Sequence, residues 1–189
     1  MTNYYIADTH FGHDNVRSYD KEDRFATKEE RDNLIMTNWN NTVGMEDNIY
    51  ILGDFSWYNN LKTLDILRNL NGNKYLIRGN HDHKMLKNRD IQKEFIMIKD
   101  YMEINDNGKT VVLSHYPLVS FKNHLRSGYH LYGHVHNSQE YIYTLWLKQK
   151  LEEFWQEKIN SYNVGVMMSY MNYCPQTLEE IMNVDVSEV

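Results

Sequence analysis

Seven side chains with oxygen or imidazole donors fall into five short clusters. These are Asp8-Thr9-His10, Gly53-Asp54, Gly79-Asn80-His81-Asp82, Ser114-His115 and Gly133-His134-Val135-His136. The donors are Asp8, His10, Asp54, Asn80, His115, His134 and His136. Such hard-to-borderline donors suit Mn, Fe, Zn, Co or Ni, and the single Cys174 excludes a thiolate cluster. One four-coordinate ion needs fewer than seven ligands. Two divalent ions sharing one ligand account for the surplus, and Asp54, between the two groups in sequence, is the natural bridge. Two ions about 3.5–4 Å apart clamp both oxygens of an in-line displacement at phosphorus and bring the pKa of a bound water to about 7. Two carboxylates and neutral imidazoles leave such a pair net positive, which fits an anionic phosphate ester.

Each cluster follows a short run of β-forming residues: Tyr4–Ala7, Ile49–Leu52, Tyr75–Ile77, Thr110–Leu113 and Tyr129–Tyr132. A further strand is expected at about Tyr162 to Val166. Ligands gather at the carboxyl ends of strands in open α/β sheets, so five such ends side by side can converge on one point. Helical patterns lie between the runs. Thr27-Lys28-Glu29-Glu30 reads as a capping box opening a helix with Leu34, Ile35 and Trp39 on its apolar stripe. Leu61, Leu64, Leu67 and Leu70 keep helical spacing up to a stop at Asn71-Gly72. Asp106-Asn107-Gly108 reads as a hairpin turn between Tyr101–Ile104 and Thr110–Leu113. A long helix is expected over about 140–160, and Thr177-Leu178-Glu179-Glu180 opens a last short one with a second capping box. The alternation predicts an α/β fold with helices covering a sheet.

The composition sets bounds. A chain of 189 residues suits one domain, 1–189, with the 140–160 helix as an insertion. Apolar residues make up 41%, enough for a core. A formal charge of −6 disfavours a non-specific nucleic-acid binder, so nucleic acid is a possible partner but not the favoured one. No apolar run approaches a membrane span, and no signal peptide opens the chain, so the expected location is cytoplasmic and no membrane partner is expected.

The ordered series Asp-x-His, Gly-Asp, Gly-Asn-His-Asp, Ser-His and Gly-His-x-His resembles the calcineurin-like metallophosphoesterase superfamily over Asp8 to His136. The segments around Asp8-Thr9-His10-Phe11-Gly12-His13, Asn38-Trp39-Asn40 and Asn163-Val164-Gly165-Val166 look like its small single-domain bacterial and phage group. The resemblance implies two mixed β-sheets packed as a sandwich and flanked by α-helices. It implies one metal held by Asp8, His10, Asp54 and His136 and a second held by Asp54, Asn80, His115 and His134. His81 would donate a proton to the leaving oxygen, Asn80 would help neutralise the phosphoryl oxygens, and Asp82 would sit behind His81 and orient its imidazole. The implied function is a binuclear metal-dependent phosphoesterase, in which a metal-bound hydroxide attacks a phosphodiester or small phosphate ester in line. The rivals are a nuclease trimming nucleic-acid ends and a non-catalytic protein-binding scaffold of the same fold. After Gly53-Asp54 comes Phe55-Ser56-Trp57, where the protein-phosphatase branch carries Asp-Arg-Gly, so that branch's substrate arginines are not assured.

Substrate contacts are sought just past the first cluster. His13, Arg17 and Arg24 could reach a phosphate, the arginines with a bidentate fork. The row from Tyr141 through Trp146 to Ile159 is unusually apolar for an outer helix and reads as core packing, a homodimer face or a lid.

Overall fold

The computed structural model describes residues 1–16, 18 and 25–184. Two mixed sheets face each other across one core, with helices outside. The first sheet has the order β4-β3-β2-β1-β9, with β1 (Asn3–Ile6), β2 (Asn48–Ile51), β3 (Asn73–Ile77) and β4 (Met97–Lys99) parallel and β9 (Gln176–Thr177) antiparallel. The second has the order β5-β6-β7-β8, formed by β5 (Tyr101–Asp106), β6 (Lys109–Ser114), β7 (Tyr129–Tyr132) and β8 (Asn160–Asn163). Here β5 and β6 form an antiparallel hairpin, while β6, β7 and β8 run parallel. Asn107 and Gly108 make its two-residue turn with φ of 50° and 85°, the left-handed pair such a turn demands.

Alternation sorts the second sheet's side chains between its faces. Val111 and Leu113 join the main core with Leu131, Ile6 and Ile51, whereas Val112 points outward to Phe121 and Ile159. The helices fit their sequence signals. In α1 (Lys28–Thr42) the Thr27 hydroxyl accepts from the Glu30 amide, Glu30 reaches back to the Thr27 amide, and Ile35 and Trp39 are fully buried. Helix α2 (Asn60–Asn69) starts on an Asn59 cap and buries Ile66 and Leu67. A short α3 (Arg89–Lys93) precedes β4, and α5 (Leu178–Met182) carries the second capping box.

Three expectations need correction. The strand expected at Tyr162–Val166 begins earlier, at Asn160, and ends at Asn163. The Asn163 side chain accepts from the Gly165 amide, and the chain crosses to the first sheet, where Ala7 bridges Gly165. The long helix, α4 (Gln139–Trp155), stops short of 160 because Gln156 turns left-handed at φ 54°. Its apolar row is divided: Tyr141, and Ile159 beyond the helix, are buried, Leu145 and Leu151 pack against the cores, and Ile142, Tyr143, Trp146, Phe154 and Trp155 are exposed. No helix among the described residues is long and apolar enough to cross a membrane.

His130 carries a pH prediction. It lies fully buried on β7, with Ser114 Oγ 2.8 Å from Nε2 and Ser161 Oγ 3.0 Å from Nδ1. Burial pushes its pKa from 6.5 down to about 3. The unfolded chain therefore takes up this proton first as pH falls. The stabilising contribution is complete above pH 6.5 and fades on acidification toward pH 3. Between pH 6 and 4, urea unfolding of metal-free protein is expected to lose about 1.4 kcal/mol per pH unit from this group. His130→Gln should flatten the profile by that slope; equal slopes would refute the assignment.

Candidate metal centre

The sheets bring the five loops to one edge. Asp8 follows β1 and is held by its amide on the Gly53 carbonyl (3.1 Å), and its carboxylate accepts from the His134 amide (2.9 and 3.1 Å). The His10 amide bonds to the Asp54 carbonyl (2.9 Å), so the loops after β1 and β2 are stitched together. Beneath them the fully buried Arg31 donates to the Thr9 carbonyl (2.6 Å), between the two candidate ligands of that loop.

Two groups of ligand atoms result: Asp8, His10 and His136, and Asp54, His115 and His134, the atoms of each lying within 4.8 Å of one another. Asn80 joins the second, its Oδ1 2.9 Å from His115 Nε2. Asp54 stands between the groups. Its Oδ2 is 3.8 Å from His10 Nε2, 3.5 Å from His115 Nε2 and 4.0 Å from His81 Nε2, while Oδ1 accepts the His81 amide at 2.9 Å. All seven donors anticipated from the sequence thus meet.

The backbone is strained to achieve this. Asp8, His10, Asp54, His134 and His136 all adopt positive φ, between 43° and 70°. Each such non-glycine residue costs about 1–3 kcal/mol, and such strain clusters at functional sites. The glycines of the motifs allow close approach. A Cβ on Gly79 would fall 2.2 Å from Asp54 Oδ1, and one on Gly53 would fall 2.5 Å from His115 Nδ1.

The donor chemistry fits metal ions. His115 Nδ1 lies 2.8 Å from the Leu52 carbonyl, which can only accept, so that nitrogen carries the proton. Burial holds the His115 pKa below its ordinary value, so Nε2 presents a lone pair. It faces Asn80 Oδ1 and Asp54 Oδ2. These three atoms form a set of oxygen and nitrogen ligands that suits a cation. Burial likewise lowers the pKa of His10, well below the ordinary value, and that of His134, keeping both neutral. Burial raises the Asp54 pKa despite the opposing His81 amide, so its charge is costly here until a cation offsets it.

The remaining expectations fare differently. The half-exposed His81 ring sits over this centre. Asp82 does not orient it: the fully buried carboxylate is spent on the amides of Asp54 (3.0 Å), Phe55 (2.9 Å) and Gly79 (2.8 Å). His13 lies outside both ligand groups, its ring centroid 5.7 Å from His10 and 4.4 Å from Trp57. Arg17 and Arg24 lie outside the described residues. Arg78 pairs with Asp100. Two residues escaped the sequence reading. Trp57 donates from Nε1 to His10 Nδ1 (3.0 Å) and packs against His81 (4.8 Å between centroids). Tyr116 packs on His134 at 4.4 Å. Neither belongs to a motif that could have announced it.

The family model of the calcineurin-like phosphoesterases matches residues 1–177. The chain belongs to this family. Among similar proteins is an uncharacterized protein of Methanocaldococcus jannaschii, 33% identical over 95% of this chain and 88% of its own. The Gene 66 protein of Mycobacterium phage D29 is 34% identical over 61% of this chain and 64% of its own. The crystal structure of a protein of unknown function from Aquifex aeolicus superimposes with a TM-score of 0.69 at 30% identity, covering 95% of this chain and 96% of that one. The paired sheets are thus those of a metallophosphoesterase, and the two His/Asp groups are consistent with the binuclear site typical of the family.

Proposed function

We propose that the protein is a binuclear metal-dependent phosphoesterase acting on a phosphodiester or small phosphate ester. The observation that carries this reading is the convergence of His115 Nε2, Asn80 Oδ1 and Asp54 Oδ2, with His10 Nε2 of the second ligand group 3.8 Å from the same Oδ2. Asp8, His10, Asp54 and His136 would hold one ion, and Asp54, Asn80, His115 and His134 the other. When bound, a divalent pair supplies Lewis acidity and an acidified water for in-line displacement at phosphorus. The chain's residues do the rest. Asp54, whose Oδ1 accepts the His81 amide and whose Oδ2 faces both His10 and His115, would be the ligand shared by the two ions. The Asn80 and His81 side chains face the phosphoryl oxygens as their charge develops. His81, half-exposed at the mouth, gives its proton to the leaving oxygen.

Two clefts favour a diester, which carries a substituent on each side of phosphorus. One, about 420 Å³, is walled by Trp57, Tyr58, His81 and Lys84; the other, about 500 Å³, by Arg78, Asn80 and Tyr116. They meet at His83. The test is hydrolysis of bis-(4-nitrophenyl) phosphate and 4-nitrophenyl phosphate with Mn, Ni, Co and Zn. Turnover of the diester above the monoester supports the reading; both staying intact with every metal overturns it. Cleavage of a single-stranded oligonucleotide would move the assignment to a nuclease.

His81 gives a sharper test. His81→Ala is expected to keep both metals but lose about 10²-fold or more in rate with alkyl leaving groups. The 4-nitrophenolate leaving group, needing no proton, should be affected far less. Equal loss for both would remove the proton-donor role.

A further inference from the structure

Helix α4 leaves space between itself and the second sheet. Thr144, Leu147, Lys148 and Leu151 recur at three- and four-residue spacing, so they share one face of the helix. That face meets Tyr132 of β7, Ser161 of β8 and Leu118 of the loop after β6 across a cavity of about 190 Å³. An apolar cavity of about 150 Å³ is already large enough to take up benzene. None of the seven candidate metal donors lines this one.

One cation on the lining lacks an anion. The Lys148 ammonium has three N–H donors. It makes one long hydrogen bond, 3.4 Å to the Ser161 carbonyl, and lies 5.3 Å from the centre of the Tyr162 ring. Among the described residues no carboxylate forms an ion pair with it. Glu152, one turn on, has its carboxylate on the Ile159 amide instead (2.8 Å). Burial pushes the Lys148 pKa below its ordinary value, and Glu152 opposes this only in part. Glu140, on the same lining, is exposed, so water screens its charge. A charge taken out of water is costly unless a partner offsets it.

We propose that this cavity binds a small organic monocarboxylate, its apolar body among Leu118, Leu147, Leu151 and Ile159 and its carboxylate on Lys148. The walls release water when an apolar group of about the size of a phenyl ring enters. The carboxylate supplies the charge-assisted bond that the ammonium lacks within the chain. The site is separate from the metal centre, so it stands or falls independently of the phosphoesterase reading.

The test is a nuclear magnetic resonance titration of the full chain, labelled at its Leu and Ile methyl groups, with phenylacetate. Saturable shifts are expected at Leu118, Leu147, Leu151 and Ile159, and inorganic phosphate should not displace the ligand. Phenethyl alcohol, which has the ring without the charge, should bind about tenfold or more weakly than phenylacetate. Lys148→Met keeps the aliphatic stem and removes the ammonium, and should weaken phenylacetate binding by a similar factor. Phenethylamine probes Glu140 and should bind more weakly still. Absence of saturable shifts at these methyl groups overturns the proposal. So does an alcohol or amine that binds as tightly as phenylacetate, or an unchanged affinity in Lys148→Met. Displacement by inorganic phosphate would place the carboxylate at the metal centre and overturn it as well. The comparison of the three ligands uses the unaltered chain, so it decides the matter even where Lys148→Met does not fold.

Discussion

Asp54→Asn is expected to abolish turnover while leaving the fold intact. The substituted amide retains an oxygen for the His81 amide, so the loop after β3 stays anchored. It replaces Oδ2, the atom 3.5 Å from His115 Nε2 and 3.8 Å from His10 Nε2, with an NH₂ that has no lone pair for a cation. Both ligand groups lose their shared member at once. Two-metal stabilisation of the transition state is worth several kcal/mol, so the diester rate should fall about 10³-fold or more. Metal content measured on the purified variant should fall below that of the wild type. Burial already penalises the Asp54 charge, so metal-free Asp54→Asn should unfold at the same urea concentration as wild type or a higher one. Full activity with full metal content would remove Asp54 as the bridge.

The second large effect is expected at Asp82, by a different route. Its carboxylate is 0% exposed and accepts the amides of Asp54, Phe55 and Gly79, clamping the loop after β2 to the loop after β3. Asp82→Ala strips the partner from all three donors. An unsatisfied buried donor costs about 1–3 kcal/mol, so a loss of about 3 kcal/mol or more is expected in urea unfolding, with the m-value unchanged. That is a large share of a typical total of about 5–15 kcal/mol. Asp54 and Asn80 flank the clamp, so zinc affinity should also drop about 10–100-fold, the range for residues that orient ligands. A loss below about 1 kcal/mol with unchanged zinc affinity would reduce Asp82 to an ordinary loop cap.

These two residues show what the sequence disclosed and what it withheld. Asp54, His115 and His134 were legible because each ends a β-forming run, and parallel strands deliver their carboxyl ends to one edge. The capping boxes at Thr27 and Thr177 and the Asn107-Gly108 turn were legible because each is a local rule satisfied within four residues. Asp82 was placed behind the His81 ring only by the family resemblance; its amide partners at Asp54 and Phe55 lie 28 and 27 residues away. Trp57 and Arg31 were silent for the same reason, since their bonds to His10 and to the Thr9 carbonyl are made only once the sheets have formed. The short edge strands β4 and β9 are three and two residues long, too brief to carry a periodicity. The crossing after Asn163 was hidden because Val164 and Val166 suit either sheet, and the turn is decided by the Asn163 side chain and by pairing with Ala7.

The central proposal is that Asp54 would be shared between two bound cations. Anomalous diffraction at the zinc edge, from crystals grown with zinc, tests it most directly. Two peaks per chain about 3.5–4 Å apart, with Asp54 Oδ2 between them, is the predicted result. A single peak, or two peaks that do not share Asp54, would contradict it.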